Sequence, residues 1–116
     1  MLFRSLRAAT LSGGNLQRVI LARELAHEPK LIVALYPTRG LDVRSATALR
    51  ALLRAARDRG AGVLVVSEDL DELFELSDRI LVLYRGTIAG EFPPEQFRAE
   101  AVGPLMVGAG DPAHAA

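Results

Sequence analysis

Ser12-Gly13-Gly14-Asn15 is the stretch whose residue types and spacing point first to chemistry. It stands where a loop enters an apolar helix. A helix N-terminus leaves its first N–H groups without intrahelical acceptors and carries a partial positive charge. Two glycines let the backbone approach an anion closely, and a serine adds a hydroxyl donor, so the site suits a phosphate. Taken alone, the tetrapeptide is better explained by a serine N-cap beside flexible glycines. Three other groups have plainer readings still. His27 and His114 are isolated, one at a helix end and one near the C-terminus, so surface or capping roles outweigh metal binding or catalysis. Glu68, Asp69, Asp71 and Glu72 form an acidic group, but Asp69-x-x-Glu72 reads as a capping box and no Gly-punctuated calcium loop surrounds it. Ser67 beside Asp69 has no histidine near it, which argues against a hydrolase triad.

The elements that position these residues follow from apolar periodicity and punctuation. A helix is predicted from about Asn15 to His27, after a turn at Leu11–Gly14, and is stopped by Pro29. Leu31 to Leu35 is a continuous apolar run, the pattern of a strand buried on both faces of a parallel sheet. Asp42 is a predicted N-cap for a helix from Val43 to Arg59. Ala46, Leu49, Leu53 and Ala56 form its buried stripe, while Arg50, Arg54 and Arg57 line a solvated face. Gly60 and Gly62 end it. A second buried strand spans Val63 to Val66, and a short helix runs to Leu76. A third apolar run, Ile80 to Tyr84, turns at Arg85-Gly86 into a hairpin with Thr87 to Ala89. Pro93-Pro94 precedes a last helix from about Glu95. Tyr36 and Tyr84 read as packing residues. Helices and strands alternate, which predicts an α/β fold with a parallel sheet. Three core strands make a thin sheet with an open edge, so part of a larger domain is expected.

Composition narrows the function classes. The 116 residues carry 14 basic and 14 acidic side chains, so the net basic footprint of a nucleic-acid binder is missing and no nucleic-acid partner is expected. The chain has no cysteine, which excludes disulfides and thiolate metal sites. No apolar run reaches the length of a membrane span, and Met1 to Thr10 lacks the pattern of a secretion signal, so a cytoplasmic setting is expected. Thirteen of the 14 basic residues are arginine and only Lys30 is lysine.

The ordered set of motifs carries more than any one of them. Leu11-Ser12-Gly13-Gly14-Asn15-Leu16-Gln17-Arg18 is followed by Pro37-Thr38-Arg39-Gly40-Leu41-Asp42, then Ser67-Glu68-Asp69-Leu70-Asp71-Glu72, then Ser77-Asp78-Arg79-Ile80. From Leu11 to about Glu91 this set resembles the C-terminal half of the nucleotide-binding domain of ABC transporters. Asn15, the Pro-Thr-Arg-Gly-Leu-Asp segment and Leu105-Met106 resemble the second such domain of sugar and nucleoside importers. The resemblance implies the C-terminal part of a P-loop NTPase fold: a mostly parallel sheet flanked by helices, with a terminal β-hairpin. Residues 1–107 are expected to form this partial domain, without its Walker A half, and residues 108–116 a flexible tail.

What the resemblance implies for the site is a mixture of retained and lost parts. Ser12, Gly13, Gly14 and Asn15 correspond to the signature loop, which caps the γ-phosphate of ATP held by a partner domain. Gly40-Leu41-Asp42 corresponds to the D-loop at the dimer interface, with Asp42 near the cofactor. The strand ending at Leu35 corresponds to Walker B, where an aspartate for Mg²⁺ and a glutamate for the attacking water are expected. Here Leu35 and Tyr36 stand instead, and neither ligates Mg²⁺ as a carboxylate or takes a proton at neutral pH. Glu68 replaces the switch histidine. No G-x-x-x-x-G-K-[ST] occurs in the sequence, so the Walker A cradle is missing. The chain alone is therefore expected not to hydrolyse ATP and to hold no metal itself. ATP and Mg²⁺ would be engaged through a Walker A-bearing partner domain, with transmembrane permease subunits as further partners at the inner face of the membrane. A truncated remnant and an ATP-independent interaction module are the rival readings.

Overall fold

The computed structural model describes residues 13–109. They separate into two compact units that divide between Ser67 and Glu68.

The first unit opens with helix α1, Gly13–Leu25. It begins and ends two residues earlier than the periodicity predicts. Gly13 and Gly14 are helical rather than part of a turn, and Ala26 to Glu28 form the exit. Glu28, in the left-handed region at φ 50°, leads the chain out before Pro29, as a residue preceding proline disfavours the right-handed helix. Strand β1, Leu31–Leu35, has the predicted bounds. It runs parallel to β2, Gly62–Val66, in the register Leu31↔Gly62 to Leu35↔Val66. The ladder is extended at both ends: the Gly62 N–H donates to the Lys30 carbonyl at 2.8 Å and the Tyr36 N–H to the Val66 carbonyl at 2.7 Å.

Helix α2, Val43–Asp58, connects the two strands and buries Ala46, Leu49, Leu53 and Ala56, the predicted stripe. Each fully buried leucine there is worth roughly 1.5–3 kcal/mol of apolar transfer. The helix packs against α1 and β2. Arg50, Arg54 and Arg57 are half-buried rather than on a fully solvated face, their aliphatic stems covered as long charged side chains allow. At the C-terminus the Ala61 N–H donates to the Ala56 carbonyl and the Gly60 N–H to the Arg57 carbonyl. Gly60 adopts φ 99°, completing a Schellman termination.

The second unit starts with α3, Leu70–Leu76, capped by Asp69, whose side chain accepts the Glu72 N–H at 3.2 Å. Strands β3, Ile80–Tyr84, and β4, Thr87–Phe92, pair antiparallel. Their two-residue turn, Arg85-Gly86, has both φ positive, at 47° and 78°. This is the turn geometry whose twist matches paired strands. The predicted hairpin is present, with β4 three residues longer than expected. The expectation of a three-strand parallel layer is corrected among the described residues: one parallel pair and one antiparallel hairpin belong to separate sheets. A tight hairpin satisfies the third apolar run locally and gives it a core of its own. That core is Ile80, Val82, Phe92 and Val102, with Leu73, Phe74, Phe97 and Leu105 against it. The Phe74 and Phe97 rings stack at 5.5 Å.

The last predicted helix is two elements. A 3₁₀ turn at Pro94–Gln96 precedes α4, Ala99–Met106, because Arg98 is extended at φ −135°. Gly108, the first residue of the predicted tail, is buried and closes α4 at φ 84°. Its N–H donates to Leu105 at 3.2 Å, and the Ala109 N–H donates to Pro104 at 2.9 Å. No described helix is long and apolar enough to cross a membrane.

Candidate functional site

The predicted anion loop is described in part. Ser12 lies outside the described residues. Gly13, Gly14 and Asn15 form the first turn of α1, a helix of 13 residues. The first N–H groups of such a helix have no intrahelical acceptor, and no acidic residue stands in this turn. An anion approaching it meets donors and a favourable dipole without carboxylate repulsion.

A second cluster lies at the carboxyl ends of β1 and β2, where open α/β sheets bind ligands. Leu35 ends β1 and is 65 % exposed, and Tyr36 follows it with its ring partly exposed. Tyr36 takes the left-handed region at φ 47°, an uncommon conformation for a bulky residue. Its carbonyl accepts the Arg39 N–H at 3.2 Å, and the Thr38 carbonyl accepts the Leu41 N–H at 3.1 Å. These tight turns bring the Arg39 guanidinium 3.9 Å from the Tyr36 ring centroid. The pair is a cation–π contact, and it corrects the reading of Tyr36 as a packing residue alone. Tyr84, in the other unit, carries Arg85 over its ring at 5.4 Å. Sequence reasoning missed both. The signal for the first was present as Tyr-x-x-Arg in a Pro-Thr turn, a spacing that folds the fourth residue back on the first.

Asp42 ends the same loop and has two structural duties. Its Oδ1 accepts the Ser45 N–H at 2.7 Å, and its carbonyl accepts the Ala46 N–H at 2.9 Å. The Ser45 backbone bond is the largest cause holding its carboxyl below the usual aspartate range, joined by the Ser45 hydroxyl and the nearby Arg44 charge. Gly40 before it needs its φ of 77°. Leu35, Tyr36 and Asp42 thus share one unit, with Gly13 to Asn15 on its first helix. Glu68 is exposed at the start of the other unit.

The donor set can be tested against Mg-ATP. At the end of β1 the residues do not fit: a leucine and a tyrosine offer no carboxylate to a hard cation. Among the described residues no group of three or more His, Cys, Asp and Glu is placed to hold a metal. At the start of α1 the first backbone N–H groups offer donors to an anion.

No family model matches the chain. Individual proteins do. A glucose import ATP-binding protein of Haloferax volcanii is 50 % identical over 104 residues, 90 % of this chain and 19 % of that one. A nucleoside import ATP-binding protein of Lactococcus lactis is 46 % identical over 101 residues, 87 % of this chain and 20 % of that one. Among solved structures, a nucleotide-free ATP-binding cassette of an ABC transporter superposes with a TM-score of 0.74 at 27 % identity, covering 85 % of this chain and 40 % of that one. The chain is homologous to one part of the ABC transporter ATP-binding proteins. It corresponds to the C-terminal half of a nucleotide-binding domain and has the α/β fold of ABC ATPases. It spans about one-fifth of the length of the curated ABC relatives it matches.

Proposed function

We propose that the chain is part of the ATP-binding component of an ABC importer for a sugar or a nucleoside, and that it supplies a signature loop in trans. In this reading Ser12, Gly13, Gly14 and Asn15 cap the γ-phosphate of ATP bound to a Walker A-bearing partner domain. Asp42 holds the adjoining interface loop in shape. The chain's own catalytic positions, Leu35 and Tyr36 in the first unit and Glu68 in the second, are degenerate and hydrolyse nothing. Residues 1–107 belong to the partial domain, which Gly108 and Ala109 close through their hydrogen bonds to Leu105 and Pro104. When assembled, the protein sits at the inner face of the membrane through permease subunits. ATP and Mg²⁺, bound by the partner, supply the phosphoryl-transfer chemistry. This chain's backbone N–H groups would orient the terminal phosphate and exclude water from it.

The observation that carries the reading is a helix opened by Gly13-Gly14 with no carboxylate in its first turn, in a chain whose metal-carboxylate positions hold Leu35 and Tyr36. The experiment is ATP turnover by a Walker A-bearing partner domain with and without this chain. The expected result is a gain in turnover that Ser12→Arg abolishes, because a bulky cation fills the phosphate's place. No gain in a stable stoichiometric complex refutes the proposal. The loss of carboxylates at Leu35 and Tyr36 favours one other reading, an interaction module that forms the same heteromer without any dependence on Mg-ATP.

A further inference from the structure

Charge is divided between the two units. Residues 1–67 hold eleven basic and four acidic side chains, and residues 68–116 hold three and ten. The neutral total conceals a first unit that attracts anions and a second that repels them. In the first unit Arg39 stands in the loop that leaves β1, at the carboxyl end of the strands, where an open α/β sheet takes its ligand. Its guanidinium lies 3.9 Å from the Tyr36 ring centroid, and both side chains are exposed. The loop is tied down. The Tyr36 N–H donates to the Val66 carbonyl at 2.7 Å, and the turns closed by Arg39 and Leu41 set where the guanidinium falls. Stacking on a ring uses the flat face of a guanidinium, whereas its five N–H donors point outward in the plane. The one acidic side chain between Tyr36 and Arg44 is Asp42, whose Oδ1 accepts the Ser45 N–H at 2.7 Å. Leu35 and Tyr36 give a hard cation no carboxylate. The positive charge fixed at this place is therefore a guanidinium.

We infer that the chain's own site at the end of β1 takes the terminal phosphates of a nucleoside triphosphate without a divalent metal, and that Arg39, stacked on Tyr36, supplies the charge. The inference rests on the family reading for where that site lies. It goes beyond that reading in the form of the ligand, a metal-free polyphosphate rather than its magnesium complex. Phosphate oxygens accept two N–H bonds from one guanidinium, which a point charge does not offer. Tyr36 is a positioning residue here: its ring holds the guanidinium, and its hydroxyl has no part in binding.

The test titrates the full chain in a calorimeter with ATP and, separately, with inorganic triphosphate, first in a chelator and then in excess Mg²⁺. The expected result is that both ligands bind in the chelator and that Mg²⁺ does not tighten either. Equal affinities assign the site to the phosphate chain alone and a tighter ATP assigns it to the whole nucleotide; either result supports the inference. Arg39→Gln should weaken binding by about tenfold or more, the loss of charge-assisted hydrogen bonds. Arg44→Gln, which removes a nearby charge outside the stack, should weaken it by less than about threefold, as expected for an exposed charge. Tyr36→Ala should weaken it roughly two- to fivefold by freeing the guanidinium, and Tyr36→Phe, which keeps the ring, should restore it. Matching far-UV circular dichroism melts show that the variants are folded. No binding of either ligand, binding about tenfold tighter in Mg²⁺, or equal losses in Arg39→Gln and Arg44→Gln would each overturn the inference. So would a loss in Ser12→Arg with none in Arg39→Gln, which moves the anion to the start of α1. The signature-loop reading fails separately. Metal-free binding that depends on Arg39, in a chain that gives a Walker A-bearing partner no gain in ATP turnover, sinks that reading and leaves this one standing.

Discussion

Gly108→Ala should damage the second unit far more than a glycine replacement of the same backbone class elsewhere. Gly108 has φ 84°, and a Cβ built there would lie 2.7 Å from both the Cε1 and the hydroxyl oxygen of Tyr84, and closer still to Cζ. The left-handed conformation costs a non-glycine residue about 1–2 kcal/mol. Forcing a methyl group into an occupied site adds roughly 1–3 kcal/mol, since the ring is half-buried and must move or tilt. The sum is roughly 2–5 kcal/mol. In a chain of this size that lowers the melting temperature by on the order of 10 °C or more. Gly86 is the control: its φ is 78° and nothing lies within 4 Å of the added Cβ, so Gly86→Ala should lose only the backbone part. The assay is thermal unfolding followed by far-UV circular dichroism on both variants and on Gly108→Ala/Tyr84→Ala. The double variant should recover the steric part, seen as a coupling of about 1–3 kcal/mol. If Gly108→Ala melts with Gly86→Ala, or if removing the Tyr84 ring restores nothing, the close approach at Gly108 does not limit stability and the reasoning fails.

Two further outcomes follow from the first unit. Asp42 has its folded pKa held below the usual value, chiefly by the Ser45 backbone bond. Its stabilisation is therefore present above the unfolded pKa and lost as pH falls through the folded one; α2 helicity should decline below about pH 4. Asp42→Asn, which keeps an acceptor but not the titration, should flatten that decline in an acid titration. Leu53 is 2 % exposed and sits in the α2 stripe, so Leu53→Ala should cost about 2–5 kcal/mol, read as a lowered urea midpoint. Leu64→Ala, on the bare strand face, should leave that midpoint nearly unmoved.

The sequence made some of this legible for physical reasons that can be named. The α2 stripe was visible because Ala46, Leu49, Leu53 and Ala56 repeat at helical spacing, and Asp42 because an aspartate before such a stripe has N–H groups to satisfy. β1 was found to the residue, since Lys30 and Pro37 bracket a pure apolar run. The Arg85-Gly86 turn was legible from its glycine. What was missed depends on contacts between elements or on local backbone that several residues decide jointly. The start of α1 moved because glycines tolerate helix as well as turn. The last helix began late because Arg98 stays extended after the 3₁₀ turn. The Tyr36–Arg39 stack needed two successive turns to form. The motif order, rather than any single element, pointed to the family, and the relatives bear that out.

The placement of the two tyrosines gives the molecule a built-in pair of reporters. The chain has no tryptophan and only Tyr36 and Tyr84 as phenols, one in each compact unit, each with a guanidinium above its ring. Near-ultraviolet signals from the folded chain therefore come as one phenol per unit, beside four weakly absorbing phenylalanines. Replacing either tyrosine by phenylalanine leaves the other as the dominant chromophore of its own unit. The order in which the two units come apart can then be watched optically, without labels.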